Sequence, residues 1–230
     1  MVLAFCGQAA AATIDLGFDE SGLGAGNITG TESAFISRGV EIDLLGATGK
    51  SLALFQSTCR FSFGGTTYNG EADACTGQDP DLGTASGLGT GPQGLILIAN
   101  EGSDAQPDDF AGSYSFRYSF ASPVLVDVVE MVDLDGAEDI AFRGKAASGG
   151  PVFDIDPSGV SLVGTPTKDN SLRAYTLGNE LRLSEFYIDF KSTSGAVGSL
   201  SYTAVPLPAS LPMLIGALGL IGWAAHRRRT

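Results

Sequence analysis

The fold of this chain is decided by one stretch, Ser113-Tyr114-Ser115-Phe116-Arg117-Tyr118-Ser119-Phe120. Successive side chains of a β-strand point to opposite faces, so the four aromatic residues share one face and the serines and the arginine share the other. Such strict alternation predicts a strand with one buried face and one solvated face.

Similar strand signals recur on both sides of this stretch. Val40, Ile42 and Leu44 alternate with acidic residues, and Phe186, Ile188 and Phe190 repeat the pattern later in the chain. Two continuous apolar runs, at 95–98 and 124–132, predict central strands. The alternating segment 200–204 predicts the last strand.

Helical periodicity is absent before Leu211, and clusters of Gly, Pro, Asn and Asp separate the predicted strands. The sequence therefore predicts an all-β, antiparallel β-sandwich of jelly-roll type. Residues 148–151 form a possible linker to a second domain. A loop within one sandwich is favoured, because 151–204 supply too few strands for a separate core.

The N-terminal residues 1–12 combine an apolar stretch with a run of alanines and are predicted to be a signal peptide, cleaved after Ala12. A basic region before the apolar stretch is missing, so we expect the true start to lie upstream or the gene start to be truncated. An alternative is a lipoprotein signal ending at Cys6, although Phe5 is bulky where that signal needs a small residue.

The C-terminal residues 205–230 combine a short motif, an apolar run and a basic cluster. Val205-Pro206-Leu207-Pro208-Ala209 comes first, 211–225 are apolar, and Arg227, Arg228 and Arg229 follow. The apolar run is close to the lower limit for a transmembrane helix, about 17 to 25 residues, and the arginines place the tail in the cytoplasm. By itself this pattern predicts a simple membrane anchor.

The order of motif, helix and basic cluster resembles the PEP-CTERM class of bacterial sorting signals, in its VPLPA variant. This resemblance implies recognition by an exosortase, a transpeptidase-like membrane protease that cleaves near the proline-containing motif. The protein would then be anchored in the inner membrane before processing and lie at the cell surface or outside the cell afterwards. Residues 13–204 form the ectodomain between the two signals.

The ectodomain is strongly acidic. All 26 acidic residues lie between Asp15 and Asp189, whereas three of the 13 basic residues lie in the tail, which leaves ten basic residues and a net charge of −16. Such a surface repels nucleic acid and concentrates cations, so nucleic acid is excluded as a partner.

Cys59 and Cys75 are the two cysteines of the ectodomain. In an oxidising compartment such a pair predicts a disulfide bond rather than two free thiols. Closing a loop of about 15 residues stabilises a fold by roughly 3 kcal/mol in the chain-entropy model.

Catalytic signatures are missing from the ectodomain. The single histidine is His226, in the tail, so neither a Ser-His-Asp site nor a histidine-ligated metal site can form. We therefore predict a protein that is not an enzyme. The alternative is a secreted glycan-processing enzyme that uses a pair of carboxylates.

Acidic residues cluster in the predicted loops, and oxygen ligands of this kind suit Ca²⁺, which accepts six to eight of them in irregular geometry. The candidate ligands are Asp79, Asp81, Glu101, Asp108, Asp109, Asp133 and Asp135. The alternative for each cluster is a set of solvated carboxylates and turn caps.

The order of these clusters resembles a jelly-roll family whose members carry PEP-CTERM-like tails. The resemblance rests on residues 79–83, 95–101, 107–109, 114–120 and 124–135. It implies a carbohydrate-binding-like sandwich with cation-binding loops and does not name a ligand. From the two terminal signals, the β ectodomain and the missing catalytic motifs we predict a surface or matrix protein associated with exopolysaccharide. The only tryptophan lies in the tail, so sugar stacking would use Tyr68, Tyr114, Tyr118 or Tyr175, although tyrosines on a strand face are more typical of a core.

Overall fold

The computed structural model describes residues 12–18, 22–58, 61–63, 66–68, 82–84, 93–103, 106–134, 140–163, 171–178 and 180–205. These residues form one short helix, α1 (Ser33–Ile36), and fourteen strands. The strands are β1 (Ala12–Gly17), β2 (Gly26–Ile28), β3 (Val40–Leu45), β4 (Ser51–Gln56), β5 (Phe61–Phe63), β6 (Thr66–Tyr68), β7 (Leu95–Asn100), β8 (Gly112–Val132), β9 (Ile140–Ala146), β10 (Val152–Ile155), β11 (Gly159–Val163), β12 (Leu172–Thr176), β13 (Leu183–Thr193) and β14 (Ala196–Ala204).

Twelve of these strands belong to one antiparallel sheet, and β5 and β6 pair only with each other. The predicted all-β, antiparallel class is therefore confirmed. In the described part of the chain, no helix is long and apolar enough to cross a membrane. The predicted transmembrane residues 211–225 lie outside the described residues.

The long strand β8 organises the sheet. Its first part, 112–120, pairs with β3 on one side and β13 on the other, whereas its second part, 124–132, pairs with β12 and β14. The sequence predicts two separate strands here, and that prediction is wrong. Pro123 lies between the two parts without ending the strand, and its carbonyl accepts a hydrogen bond from the Val205 N–H at 2.9 Å.

Two sets of strands therefore diverge from β8. The front layer has the order β3, β8 (112–120), β13, β9 and β10. The back layer has the order β11, β12, β8 (124–132) and β14, and β14 continues to β1 and to β7, β4 and β2. The turn at 148–151 joins the paired strands β9 and β10, so it lies within the front layer.

The two layers share one hydrophobic core, so the fold is sandwich-like. Phe142 of the front layer contacts Tyr175 of the back layer, with ring centroids 5.1 Å apart, and Phe120 contacts Tyr202 at the same separation. Since β9 and β12 are not hydrogen-bonded neighbours, the Phe142–Tyr175 contact shows that the inner faces of the layers pack against each other.

The alternation in 113–120 is confirmed, because all four aromatic residues are buried in this core. Tyr114 stacks on Phe190 of the neighbouring strand, with centroids 4.4 Å apart, and Phe116 meets Phe190 edge to face. Burial of these large side chains supplies the main driving force for folding.

The apolar run at 95–98 also has the predicted position, because β7 lies between β4 and β14 and all its residues are buried. Its second face is covered by a smaller cluster that includes Phe55, Leu82 and Leu172. A strand that is covered on both faces needs a continuous apolar run rather than alternation.

Candidate functional site

The acidic loop after β7 is organised by Asn100. The Asn100 Oδ1 accepts hydrogen bonds from the N–H groups of Gly102 (2.8 Å) and Asp108 (2.9 Å), and its Nδ2 donates to Asn27 Oδ1 at 2.8 Å. A single buried amide thus fixes both ends of the loop. Such local bonds replace the strand pairing that the backbone loses in a loop.

Glu101 in this loop forms an ion pair with Lys50, with Nζ and Oε2 3.0 Å apart. The same Nζ lies 4.8 Å from the centroid of the Phe110 ring, which adds a cation–π contact. The carboxylate predicted as a calcium ligand is therefore bound to a lysine that comes 51 residues earlier in the chain.

Asp109 is a buried carboxylate, 7% exposed. Its Oδ2 accepts a hydrogen bond from the Gly195 N–H at 2.7 Å, which ties the loop to the turn between β13 and β14. Gly195 has a φ of 136°, so that turn requires glycine. Burial, together with the charge of Asp109, raises the pKa of Tyr114 well above its ordinary value.

Asp133 follows β8 and is also buried. It adopts a left-handed φ of 55°, and its N–H donates to the Ser171 carbonyl at 2.9 Å. Its own carbonyl lies against Gly195, so Asp109 and Asp133 both contact the same turn. The proximity of Asp109 and Asp133 is therefore explained by the packing of both residues against this turn.

Within the residues that the structure describes, no group of three or more His, Cys, Asp or Glu side chains is placed to hold a metal ion. Of the predicted ligands, Glu101, Asp108, Asp109 and Asp133 are described. Asp79, Asp81 and Asp135 lie outside the described residues, as do Cys59 and Cys75. The calcium site and the disulfide bond stay predictions.

Three of the four tyrosines considered for sugar stacking belong to the core. Tyr114, Tyr118 and Tyr175 are buried, and each packs against another aromatic ring. They are therefore not exposed stacking platforms. For Tyr68 the structure describes only the backbone, which pairs with Phe61 in the β5–β6 hairpin.

The outer face of the front layer carries a row of polar side chains across all five strands. Its members occupy paired positions in register: Asp43, Arg117, Tyr187, Arg143 and Asp154. Asp43 Oδ2 accepts from Arg117 Nε (3.0 Å) and Nη2 (2.8 Å), and Arg143 lies 5.0 Å from the Tyr187 ring centroid. The hydrogen bonds that Arg117 donates to Asp43 raise the pKa of Arg117, so this guanidinium stays charged.

Further ion pairs neutralise this face. Asp189 binds Arg143, and Glu185 accepts a hydrogen bond from Lys145 at 2.7 Å and another from Tyr187. The Lys145 and Tyr187 hydrogen bonds lower the pKa of Glu185. These groups satisfy one another across strands, so the face is a set of cross-strand pairs that stabilise the layer.

A cleft of about 420 Å³ opens where β9 and β10 meet β11 and β12. Its apolar wall consists of side chains from both layers: Phe142, Ile155, Pro157, Val160 and Tyr175. Three exposed charged residues, Asp154, Asp156 and Lys191, line the same space.

The sequence alone does not single out these residues. One local signal is available, since Asp154-Ile155-Asp156-Pro157 places two carboxylates on either side of a buried residue before a turn. Tyr175 and Lys191 come from distant segments, and only the pairing of the strands brings them to this cleft.

Comparison with known proteins identifies the C-terminal segment. The family model described as the PEP-CTERM protein-sorting motif matches residues 204–229, which confirms the predicted resemblance. The match begins at Ala204, the last residue of β14. No curated protein and no solved structure matches the chain.

Proposed function

From the PEP-CTERM motif at residues 204–229, which implies export, membrane-anchored sorting and processing by an exosortase, we propose a non-enzymatic surface or matrix protein whose ectodomain associates with extracellular polysaccharide. The single observation that carries this proposal is the position of the motif. The sheet ends at Ala204, so a cut within the motif would release the ectodomain without removing a described strand.

In this proposal, residues 211–225 span the inner membrane until cleavage, and the sandwich has jelly-roll connectivity. The apolar run and the three following arginines support the first point. The shared core of the two layers and the resemblance to jelly-roll proteins support the second.

Two observations support a protein that is not an enzyme. The ectodomain has no histidine, and several of its carboxylates are bound to other groups of the protein. Asp43, Glu185 and Asp189 are each bound to a cationic side chain, and Asp109 is bound to a backbone N–H. A catalytic carboxylate pair must instead face a substrate.

Calcium is the cation that we propose for the acidic loops at 79–81 and 133–135. Two aspartates separated by one residue occur in each, and the loops are rich in glycine nearby. Such loops offer the hard oxygen ligands that calcium requires. The bound ion would stabilise the ectodomain rather than take part in a reaction.

Polysaccharide association is tested by fractionating the extracellular matrix of the producing cells. The mature protein is expected to sediment with the matrix and to be released when neutral polysaccharide is digested enzymatically. Release that requires only high salt, with no response to glycan digestion, would contradict the proposal, because it would indicate electrostatic adsorption.

A further inference from the structure

We propose that the cleft between β9, β10, β11 and β12 binds a single neutral sugar residue of an extracellular polysaccharide, an inference that rests on the proposed function and locates its binding site. The cleft's volume of about 420 Å³ lies within the range of about 300–1,000 Å³ that is typical of small-molecule sites.

The cleft has the lining that a sugar requires. The buried Phe142–Tyr175 ring pair and Ile155 form the floor of the cleft, and the exposed side chain of Val160 is the apolar wall that a sugar can reach. Sugar rings carry apolar C–H faces that pack on such walls, while their hydroxyls need polar partners at the rim.

The rim supplies those partners. Asp154, Asp156 and Lys191 are exposed, and none of the three forms a hydrogen bond or a salt bridge with another described residue. Asp43, Glu185 and Asp189 of the same layer each form a salt bridge, whereas Asp154 has only an electrostatic interaction with Arg143, its partner in register. Two carboxylates can accept from adjacent hydroxyls, and the ammonium group can donate to a third oxygen.

Tyr175 adds a second observation. Its side chain lines the cleft, and its buried hydroxyl has no hydrogen-bond partner. Buried polar groups are usually bonded, so an orphaned hydroxyl beside a cleft indicates a site that a hydroxylated ligand would complete.

The charges select among sugars. Two carboxylates and one ammonium group line the rim, and the ectodomain as a whole has a net charge of −16. Both features disfavour uronic acids and sulfated sugars, because like charges repel. The charges therefore favour a neutral sugar, bound through its hydroxyls.

The test uses the full chain in a detergent without a sugar headgroup, with the methyl glycosides of glucose, galactose and mannose as probes. Saturation-transfer NMR is expected to detect binding of at least one probe. The rim variants Asp154→Ala, Asp156→Ala and Lys191→Ala are each expected to weaken binding about tenfold, a loss of about 1.4 kcal/mol. The matched control is Asp15→Ala, an exposed aspartate on β1 in the back layer, which is expected to leave binding unchanged.

Two results would overturn the proposal: no binding of any probe, or binding that survives in the Asp154→Ala/Asp156→Ala double variant. Since both aspartates are exposed, the double variant is expected to keep the wild-type melting temperature, which separates lost binding from lost fold. If the double variant still sediments with the matrix and releases on glycan digestion, the cleft is not the site, whereas the proposed function stands. If the wild-type protein does not associate with the matrix, the proposed function itself fails.

Discussion

Two tyrosines on the same face of β8 are expected to respond in opposite directions when their hydroxyls are removed. Tyr118 is fully buried, and its hydroxyl has no hydrogen-bond partner. Tyr114 is buried four residues earlier, and its hydroxyl donates to the Gly195 carbonyl at 3.4 Å. Burial raises the pKa of both groups, so each stays protonated and neutral.

The substitution Tyr118→Phe removes an unsatisfied polar group and keeps the ring against Phe186. An unsatisfied buried group costs about 1–3 kcal/mol, so this variant is expected to raise the free energy of unfolding by up to that amount. Tyr114→Phe is expected to lower it by about 0.5–1.5 kcal/mol, because a bonded hydroxyl is lost.

Urea unfolding of the full chain, monitored by far-UV circular dichroism, measures the change in the free energy of unfolding for both variants. A shift in the midpoint at constant slope reports stability alone. The corresponding change in melting temperature is about 2–4 °C per kcal/mol for a domain of this size. If Tyr118→Phe destabilised the protein as much as Tyr114→Phe, the reasoning would be refuted, because the Tyr118 hydroxyl would then have to be bonded in the folded state.

Three further predictions concern charged groups. The hydrogen bond from Lys145 lowers the pKa of Glu185, so the contribution of Glu185 to stability is present above pH 4.5 and is lost as the pH falls through its pKa in the folded state. Glu185→Gln should therefore make the free energy of unfolding fall less steeply at acid pH. An unchanged slope would contradict this. Asp109→Ala should lower the free energy of unfolding by about 1–3 kcal/mol, because the buried Gly195 N–H loses its acceptor. If this destabilisation vanished when a chelator was present, Asp109 would instead be a metal ligand. Chelation with EGTA should lower the melting temperature of the wild-type protein if calcium occupies the acidic loops, whereas an unchanged midpoint would argue against a structural ion.

The strands with strict alternation can be predicted from the sequence. In Ser113–Phe120, Val40–Leu44 and Phe186–Phe190 the period of two is imposed by a core on one face and solvent on the other. The alternation can be seen in each strand's own sequence, because the residues of the buried face are apolar and those of the other face are polar.

The continuity of β8 could not be predicted in the same way. Pro123 cannot donate a ladder hydrogen bond and normally marks the end of a central strand. Here the partners change at this point, from β3 to β14 on one side, so the missing bond falls where one layer gives way to the other. Only the tertiary pairing shows this.

The acidic residues illustrate the same limit. The four described candidate ligands, Glu101, Asp108, Asp109 and Asp133, lie outside the named strands, as the sequence predicts. Their partners nevertheless come from distant segments: Glu101 binds Lys50, and Asp109 binds Gly195, which is 86 residues away. The acidic composition predicts only a general affinity for cations. Burying a carboxylate costs free energy unless it is hydrogen-bonded, and the sequence does not show which residues form those hydrogen bonds.

The cleft depends on three-dimensional placement most of all. Asp154 and Asp156 are adjacent to one turn, but Tyr175 and Lys191 reach the cleft through the pairing of β12 with β8 and of β13 with β9. No local periodicity distinguishes these residues from other surface charges.

The central claim is that the chain is exported and cut at its C-terminal motif. The most direct test is the intact mass of the mature protein from cells that contain an exosortase, compared with cells that lack it. We predict that the protein from exosortase-containing cells ends within or near residues 205–209 and lacks Arg227, Arg228 and Arg229. A mature mass that still includes Arg229 in those cells would contradict the account.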